Sequence, residues 1–157
     1  MRITLLVVGK TDEEYLKNGI DKYIARIGHY LKFTVNEIVT PKNFRQLQPA
    51  QLKEAEGKLL LRLFEEADQV ILLDENGRMH TSVEFSAVLQ KYMNAGTRHL
   101  MFVVGGAYGF SEEVVQAATG KLSLSAMTFS HQMVRLFFTE QLYRAFSIIK
   151  NEPYHNN

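Results

Sequence analysis

A chain of 157 residues, 46% hydrophobic and 22% charged, has the length of one domain and enough apolar residues for a core without covalent staples. The absence of cysteine excludes disulfide frameworks, thiolate metal sites and thiol nucleophiles, and His29, His80, His99, His131 and His155 show no zinc-binding spacing. With 18 Lys and Arg against 17 Asp and Glu, the formal net charge is +1, which neither advertises nor excludes nucleic-acid binding, since a local basic patch can bind phosphate on a neutral protein.

The chain opens MRITLLVVGK, where the apolar, β-branched run Ile3–Val8 predicts a strand buried on both faces. That run is too short for a secretory leader, and no stretch nears the roughly twenty apolar residues of a membrane span, so a cytoplasmic protein is expected. Tyr15, Leu16, Gly19, Ile20, Tyr23, Ile24 and Ile27 recur at helical spacing, with Thr11 or Asp12 as a cap. A strand over Phe33–Val39 and a proline-bounded loop over 40–49 follow. A helix over Ala50–Glu66 then carries Leu52, Ala55, Leu59, Leu60 and Leu63 as its apolar stripe. QVILLDENG is a third strand running into a turn. Thr81-Ser-Val-Glu84 fits a capping box that opens a helix to about Asn94. HLMFVV is a fourth strand, and Ser111 caps a short helix to about Thr119. KLSLSAMTF is a fifth strand or an extended loop. A last helix runs from about Met133 to Lys150, and NEPYHNN forms a tail.

This alternation predicts a single α/β domain over 1–157, with a parallel sheet and helices on both its faces. In such folds ligands bind beyond the carboxyl ends of the strands. Three of those ends are distinctive: LLDENG, VVGGAYG and LSLSAMTF. The glycine loop, Gly-Gly-Ala-Tyr-Gly at 105–109, matches neither the dinucleotide pattern nor a P-loop, and serves equally as a ligand site or as a turn needing positive φ. Ser123, Ser125, Thr128 and Ser130 are caps in the plain reading, or bring backbone groups to a flat ligand. On the last helix, Val134, Phe137, Phe138, Leu142, Ala145, Ile148 and Ile149 form the sheet-facing side. Leu136 and Tyr143 interrupt the opposite arc, which also holds Arg135, Glu140, Arg144 and Ser147. A second apolar stripe needs a second surface, so a homodimer is expected. The tail, with Tyr154 and His155, is expected to fray, or to stack on and hydrogen-bond a base.

In this order, MRITLLVVGK, VVGGAYGFS (against the pattern IGGxxGL), LSLSAMTFSHQMVR (against LSxMTxPHxxxR), EQLYRAF and the terminal Tyr154-His155 resemble the ribosomal RNA large subunit methyltransferase H family. These are small bacterial members of the SPOUT class, and the resemblance runs the length of the chain. It implies a C-terminal deep trefoil knot, a homodimer, S-adenosylmethionine as methyl donor, and methylation at N3 of a pseudouridine in helix 69 of 23S rRNA on the assembled ribosome. It carries cofactor contacts onto Leu73, Gly105 and the run Leu124, Ser125, Ala126, Met127, Thr128 and Phe129. Ser130 stands where the family has proline, which removes a fixed φ ahead of His131 and is expected to loosen the start of the last helix.

An imide N3 must lose its proton during transfer, so a base or a cation that stabilises the anion is needed. His131, Arg144, Tyr154 and His155 are the candidates. Arg144 is expected to stabilise negative charge or grip phosphate, Tyr154 and His155 to position the base, and His155 to be the proton acceptor. No metal is expected. A non-catalytic ribosome- or RNA-binding module, or another nucleotide-cofactor α/β enzyme, is the alternative.

Overall fold

The computed structural model describes residues 1–156. Its frame is a five-stranded sheet of β1 (Arg2–Val8), β2 (Lys32–Ile38), β3 (Gln69–Met79), β4 (His99–Val104) and β5 (Gly120–Ser123), parallel at every pairing, in the order β2-β1-β4-β3-β5. The helices are α1 (Glu14–Ile27), α2 (Pro49–Phe64), α3 (Ser82–Asn94), α4 (Glu112–Ala117) and α5 (Met133–Ile149), and a 3-10 turn spans Lys42–Gln46. Alternate residues of the central strands feed two cores, as a sheet covered on both sides requires. Ile3, Leu5, Val7, Leu100, Phe102 and Val104 pack with Phe85, Phe138, Leu142 and Phe146 under α3 and α5. Leu6, Val8, Met101 and Val103 pack with Leu60, Phe64 and Val114 under α2 and α4.

Local chemistry sets most boundaries as expected. Thr81 and Glu84 form the reciprocal capping box of α3, and the Ser111 hydroxyl accepts the Val114 N–H at the start of α4. Two expectations change. Thr11 and Asp12 do not cap α1, whose N-cap is Glu13; the Thr11 amide is spent on Glu37 and the Asp12 amide on Gln132. The buried stripe of α2 is Glu56, Gly57, Leu60 and Phe64, rotated from the leucine stripe read in the sequence, because small and polar residues turn toward α4 and the glycine loop.

The strand ends carry the departures that matter for a site. β3 leaves its ladder after Leu73 and rejoins at Arg78, both facing Leu122 of β5, so residues 74–77 form an excursion at the sheet's rim. At Gly77 a Cβ would come within 2.7 Å of the Leu122 backbone, so only glycine lets the excursion close on β5. From the edge strand β5, residues 124–132 cross back past β3 and β4 toward β1, where the Gln132 side chain donates to the Lys10 carbonyl at 2.9 Å.

Arg135, a member of the polar arc in the sequence reading, anchors this crossing and is fully buried. Its guanidinium donates to the Val8 carbonyl (2.8 Å), the Gly9 carbonyl, the Thr11 hydroxyl and the His131 carbonyl (3.0 Å each). It satisfies backbone acceptors that the end of β1 would otherwise leave bare. Leu136 and Tyr143 are not left for another subunit. Leu136 fills the space over Gly19 of α1, and the Tyr143 ring packs 5.9 Å from Tyr23 and 6.1 Å from Tyr30. Their stripe is covered within the chain, so it carries no argument for a dimer.

Candidate functional site

The 74–77 excursion, the 105–110 loop and the 123–131 segment enclose a cavity of about 560 Å³ over the carboxyl ends of β3, β4 and β5. That falls within the roughly 300–1,000 Å³ of small-molecule sites. Leu73, Gly105, Leu124, Ser125, Met127, Thr128, Phe129 and His131 line it; Ala126 is exposed and turned away. The glycine loop is a tight turn, with the Gly109 N–H donating to the Gly106 carbonyl at 3.1 Å and Gly109 at φ +78°. Gly105 is buried, and a Cβ there would sit 3.1 Å from the Phe110 ring and 3.2 Å from the Gly109 carbonyl oxygen. A side chain at 105 therefore displaces the turn that walls the cavity.

The hydroxyls of the third segment shape their own loop. Ser123 donates to the Ser125 carbonyl at 2.9 Å, and Ser125 accepts the Met127 N–H at 2.9 Å. Ser130 accepts the Met133 N–H at 3.1 Å, so the hydroxyl at the family's proline position ties down the start of α5 instead of loosening it.

Charge enters the cavity wall from Asp74 and Glu75 of the LLDENG strand end and from Lys121, none of which the sequence marked individually. The Lys121 ammonium meets the Asp74 carboxylate at 2.9 Å, and the Thr128 hydroxyl donates to Glu75 at 2.8 Å, joining the excursion to the crossing segment. Burial alone would raise the Asp74 pKa, but hydrogen bonds from Lys121 and the Asn76 amide together outweigh it and hold the carboxyl below its ordinary value. Burial, with Arg135 adding to it, lowers the pKa of His131, so its imidazole is neutral near pH 7. The register of QVILLDENG as a strand-plus-turn hid the excursion; Gly77 was its one sequence signal.

Arg144, Tyr154 and His155 are outside this cavity. Arg144 lies ten residues beyond the cavity-lining Val134 on α5, about 15 Å along the axis at ~1.5 Å per residue. The three do meet one another. Arg144 donates to Glu140 at 2.6 Å, the Tyr154 hydroxyl donates to the same carboxylate at 3.0 Å, and Arg144 donates to His155 Nδ1 at 3.4 Å. The guanidinium also lies 4.7 Å from the Tyr154 ring centroid. Thus the tail is docked through His155, and Asn157 lies outside the described residues. Asn151 takes a left-handed conformation, the Glu152 N–H returns to the Ser147 carbonyl at 2.8 Å, and Tyr30 donates to Glu152. Burial and hydrogen bonding to Tyr23 and Glu140 push the Tyr154 pKa well up, so it is a neutral phenol at physiological pH. Among the described residues, no group of three His, Asp or Glu could hold a metal, and no helix is long and apolar enough to cross a membrane.

A parallel sheet with helices on both faces and a cavity over its strand ends defines an α/β ligand-binding domain. The chain belongs to the SPOUT methyltransferase family: the family described as "Predicted SPOUT methyltransferase" matches residues 1–155. The ribosomal RNA large subunit methyltransferase H of Flavobacterium johnsoniae is 54% identical over 156 residues, covering 99% of each chain. That of Porphyromonas gingivalis strain W83 is 51% identical over the same span, again covering 99% of each. In fold, the chain is similar to Legionella pneumophila Lpg2936, solved in complex with the bound cofactor SAM, at a TM-score of 0.52 and 13% identity, covering 92% of this chain and 66% of that one. A Neisseria gonorrhoeae protein aligns at a TM-score of 0.51 and 17% identity, covering 99% and 85%.

Proposed function

We propose that this protein is an S-adenosylmethionine-dependent methyltransferase acting on large-subunit ribosomal RNA, at N3 of a pseudouridine in helix 69 of the 23S rRNA in the assembled ribosome. The observation that carries the reading is the cavity where three strand-end segments converge, in a chain about half identical to large-subunit methyltransferases along its length. The residues present suit the cofactor. The adenine is flat and needs close backbone approach, which the Gly105–Phe110 and Leu124–Phe129 segments offer, and the Glu75 carboxylate suits the positive charge at the cofactor's methionine end. When bound, S-adenosylmethionine supplies an electrophilic methyl group on a sulfonium.

The chain's own residues then have four tasks. Leu73, Gly105 and the 124–129 segment hold the donor and exclude water. Arg144 lowers the cost of the negative charge that develops on the imide as N3 loses its proton. Tyr154 and His155 position the base. Proton acceptance falls to an imidazole, and two are placed for it: His131 in the cavity wall and His155 beside Arg144.

Within one chain the donor cavity and the Arg144 cluster stand apart, so this division of tasks requires a homodimer, in which a second copy brings its cluster to the cavity. Tyr108, Met127, Phe129 and Phe137 support that arrangement. They are apolar, exposed by 55, 77, 37 and 41%, and three of them line the cavity. The return of residues 124–132 across the strand ends likewise supports the knotted threading implied by the family resemblance.

The test is transfer of labelled methyl groups to ribosomes from cells lacking the protein, followed by mapping of the modified nucleotide. Incorporation at N3 of a helix 69 pseudouridine, on whole ribosomes and not on an isolated helix 69 fragment, is expected. Cofactor binding without incorporation would instead favour a non-catalytic ribosome-binding module.

A further inference from the structure

A largely enclosed carboxyl lies behind the glycine loop. Glu56 of α2 is 7% exposed, and its carboxyl has no hydrogen-bond or ion-pair partner among the described residues. Its oxygens keep some contact with solvent, since no fully buried side-chain oxygen among the described residues lacks a partner, but a carboxylate so largely enclosed is uncommon and its position needs a reason. Burial raises its pKa, as expected where neither cation nor N–H answers the charge.

The reason is visible at Gly106. A Cβ built on Gly106 would overlap both Glu56 oxygens and lie 2.9 Å from the carboxyl carbon. Gly106 has no positive φ, so no backbone strain requires glycine there. Its missing side chain makes room for the end of Glu56, which reaches across from another helix. The next residue on α2 repeats the arrangement. A Cβ on Gly57 would sit 2.5 Å from the Ser111 hydroxyl and 3.2 Å from Val114 Cγ2. Consecutive residues of α2 therefore hold the two ends of one loop, Gly106 at its start and Ser111 at its close. The loop between them contributes Gly106 through Phe110 to the cavity wall.

We propose that Glu56 is a positioning residue for the cofactor cavity, its carboxyl group occupying the volume of the absent Gly106 side chain and so fixing the 106–109 turn against the bound donor. This rests on the placement of S-adenosylmethionine at the glycine loop. Glu56 does not line the cavity and acts only through the turn. Shape at the end of the side chain matters more than charge, so glutamine, which has the outline of a protonated carboxyl, substitutes well.

The test is calorimetric titration of the full chain with S-adenosylmethionine, with folding checked by circular dichroism. Glu56→Ala removes the filling group and should weaken binding about tenfold, Glu56→Asp, which withdraws the carboxyl by one methylene, about threefold, and Glu56→Gln less than about twofold. Gly106→Ala forces a Cβ into the carboxyl and should weaken binding at least about tenfold. The double variant Glu56→Ala/Gly106→Ala, with the space restored, should bind at least about fivefold more tightly than Gly106→Ala alone. In turnover, the KM for the cofactor rises in Glu56→Ala while kcat and the KM for ribosomes stay within about twofold. Wild-type affinity in Glu56→Ala and Glu56→Asp, or a double variant no better than Gly106→Ala, overturns the proposal. A Gly105→Val control separates the two levels: normal affinity in that variant removes the cofactor from the loop altogether, whereas lost affinity there with normal Glu56 variants sinks the positioning role alone.

Discussion

The cavity over the strand ends and the cluster around Arg144 solve opposite problems with opposite materials. The cavity is walled by three loops that mix glycines and serines with larger side chains such as Tyr108, Phe110, Met127 and Phe129, two of its serine hydroxyls bend their own loop, and it encloses about 560 Å³ of open space. The Arg144 cluster has no such space. Tyr23, Tyr143, Tyr154, Glu140 and His155 fill it and bond one another. An open cavity walled by loops can admit a ligand and close around it. A packed side-chain cluster instead holds one charge ready in a defined direction. Hydrogen bonds to Glu140, the largest cause, raise the Arg144 pKa and keep it a fixed cation. The two regions therefore ought to fail separately, donor binding in one and chemistry in the other.

The strongest way to break that separation is Arg144→Ala. Methyl transfer should fall about 100- to 1,000-fold, the usual consequence of losing one preorganised electrostatic contact, while cofactor affinity stays within about twofold. Single-turnover transfer and calorimetry on the same preparation read both; parallel losses would merge the regions into one site. Gly105→Val is the reciprocal variant. Its added side chain presses on Phe110 and Gly109, and about 1–3 kcal/mol of overpacking should lower cofactor affinity by as much as ~100-fold without changing the molecular mass that light scattering reads for the wild type. Tyr154→Phe is milder. It removes the hydroxyl that bonds Glu140 and faces Tyr23 at 3.3 Å, and about 0.5–1.5 kcal/mol of stability should be lost in denaturant titrations, with cofactor affinity unchanged.

The two regions were also unequally legible in the sequence. Strand order in time was readable, because β-branched runs and helical stripes alternate and the capping residues Thr81 and Ser111 announce their helices. Three cavity segments could be picked out because each follows a strand. Their geometry could not. The excursion that carries Asp74 and Glu75 into the wall depends on β5 pairing with β3 on either side of it, a contact about fifty residues away. Arg135 looked like one more polar residue on an amphipathic helix, since its acceptors come from the end of β1. Glu56 looked solvated for the same reason: nothing within α2 reveals that Gly106 leaves a hole of the right size. The tail misled in the other direction. A short polar terminus with one tyrosine ordinarily frays, and only Tyr23, Tyr30 and Glu140, brought together by α1 packing on α5, give it something to dock against.

His131 offers the smallest effect and a test of the boundary between the regions, because it sits in the cavity wall just ahead of the helix that leads to Arg144. Burial disfavours its charged form in the folded chain, and Arg135 adds to that, with Asp12 opposing. The folded pKa therefore lies below the unfolded value of about 6.5. Between those two values the unfolded chain binds more protons, so stability rises with pH across that window, is full above about 6.5, and is lost as pH falls toward the folded value. His131→Gln removes the titration. Its stability should fall less steeply than the wild type's below about pH 6.5 in denaturant titrations, and the two slopes should coincide above it. The activity profile carries the functional half of the test. If His131 accepts the N3 proton, its replacement removes the acid limb of the kcat/KM profile as well as the slope in stability; if His155 does, only the stability slope changes and His155→Gln removes the limb. An acid limb that survives both replacements would remove both imidazoles as the proton acceptor.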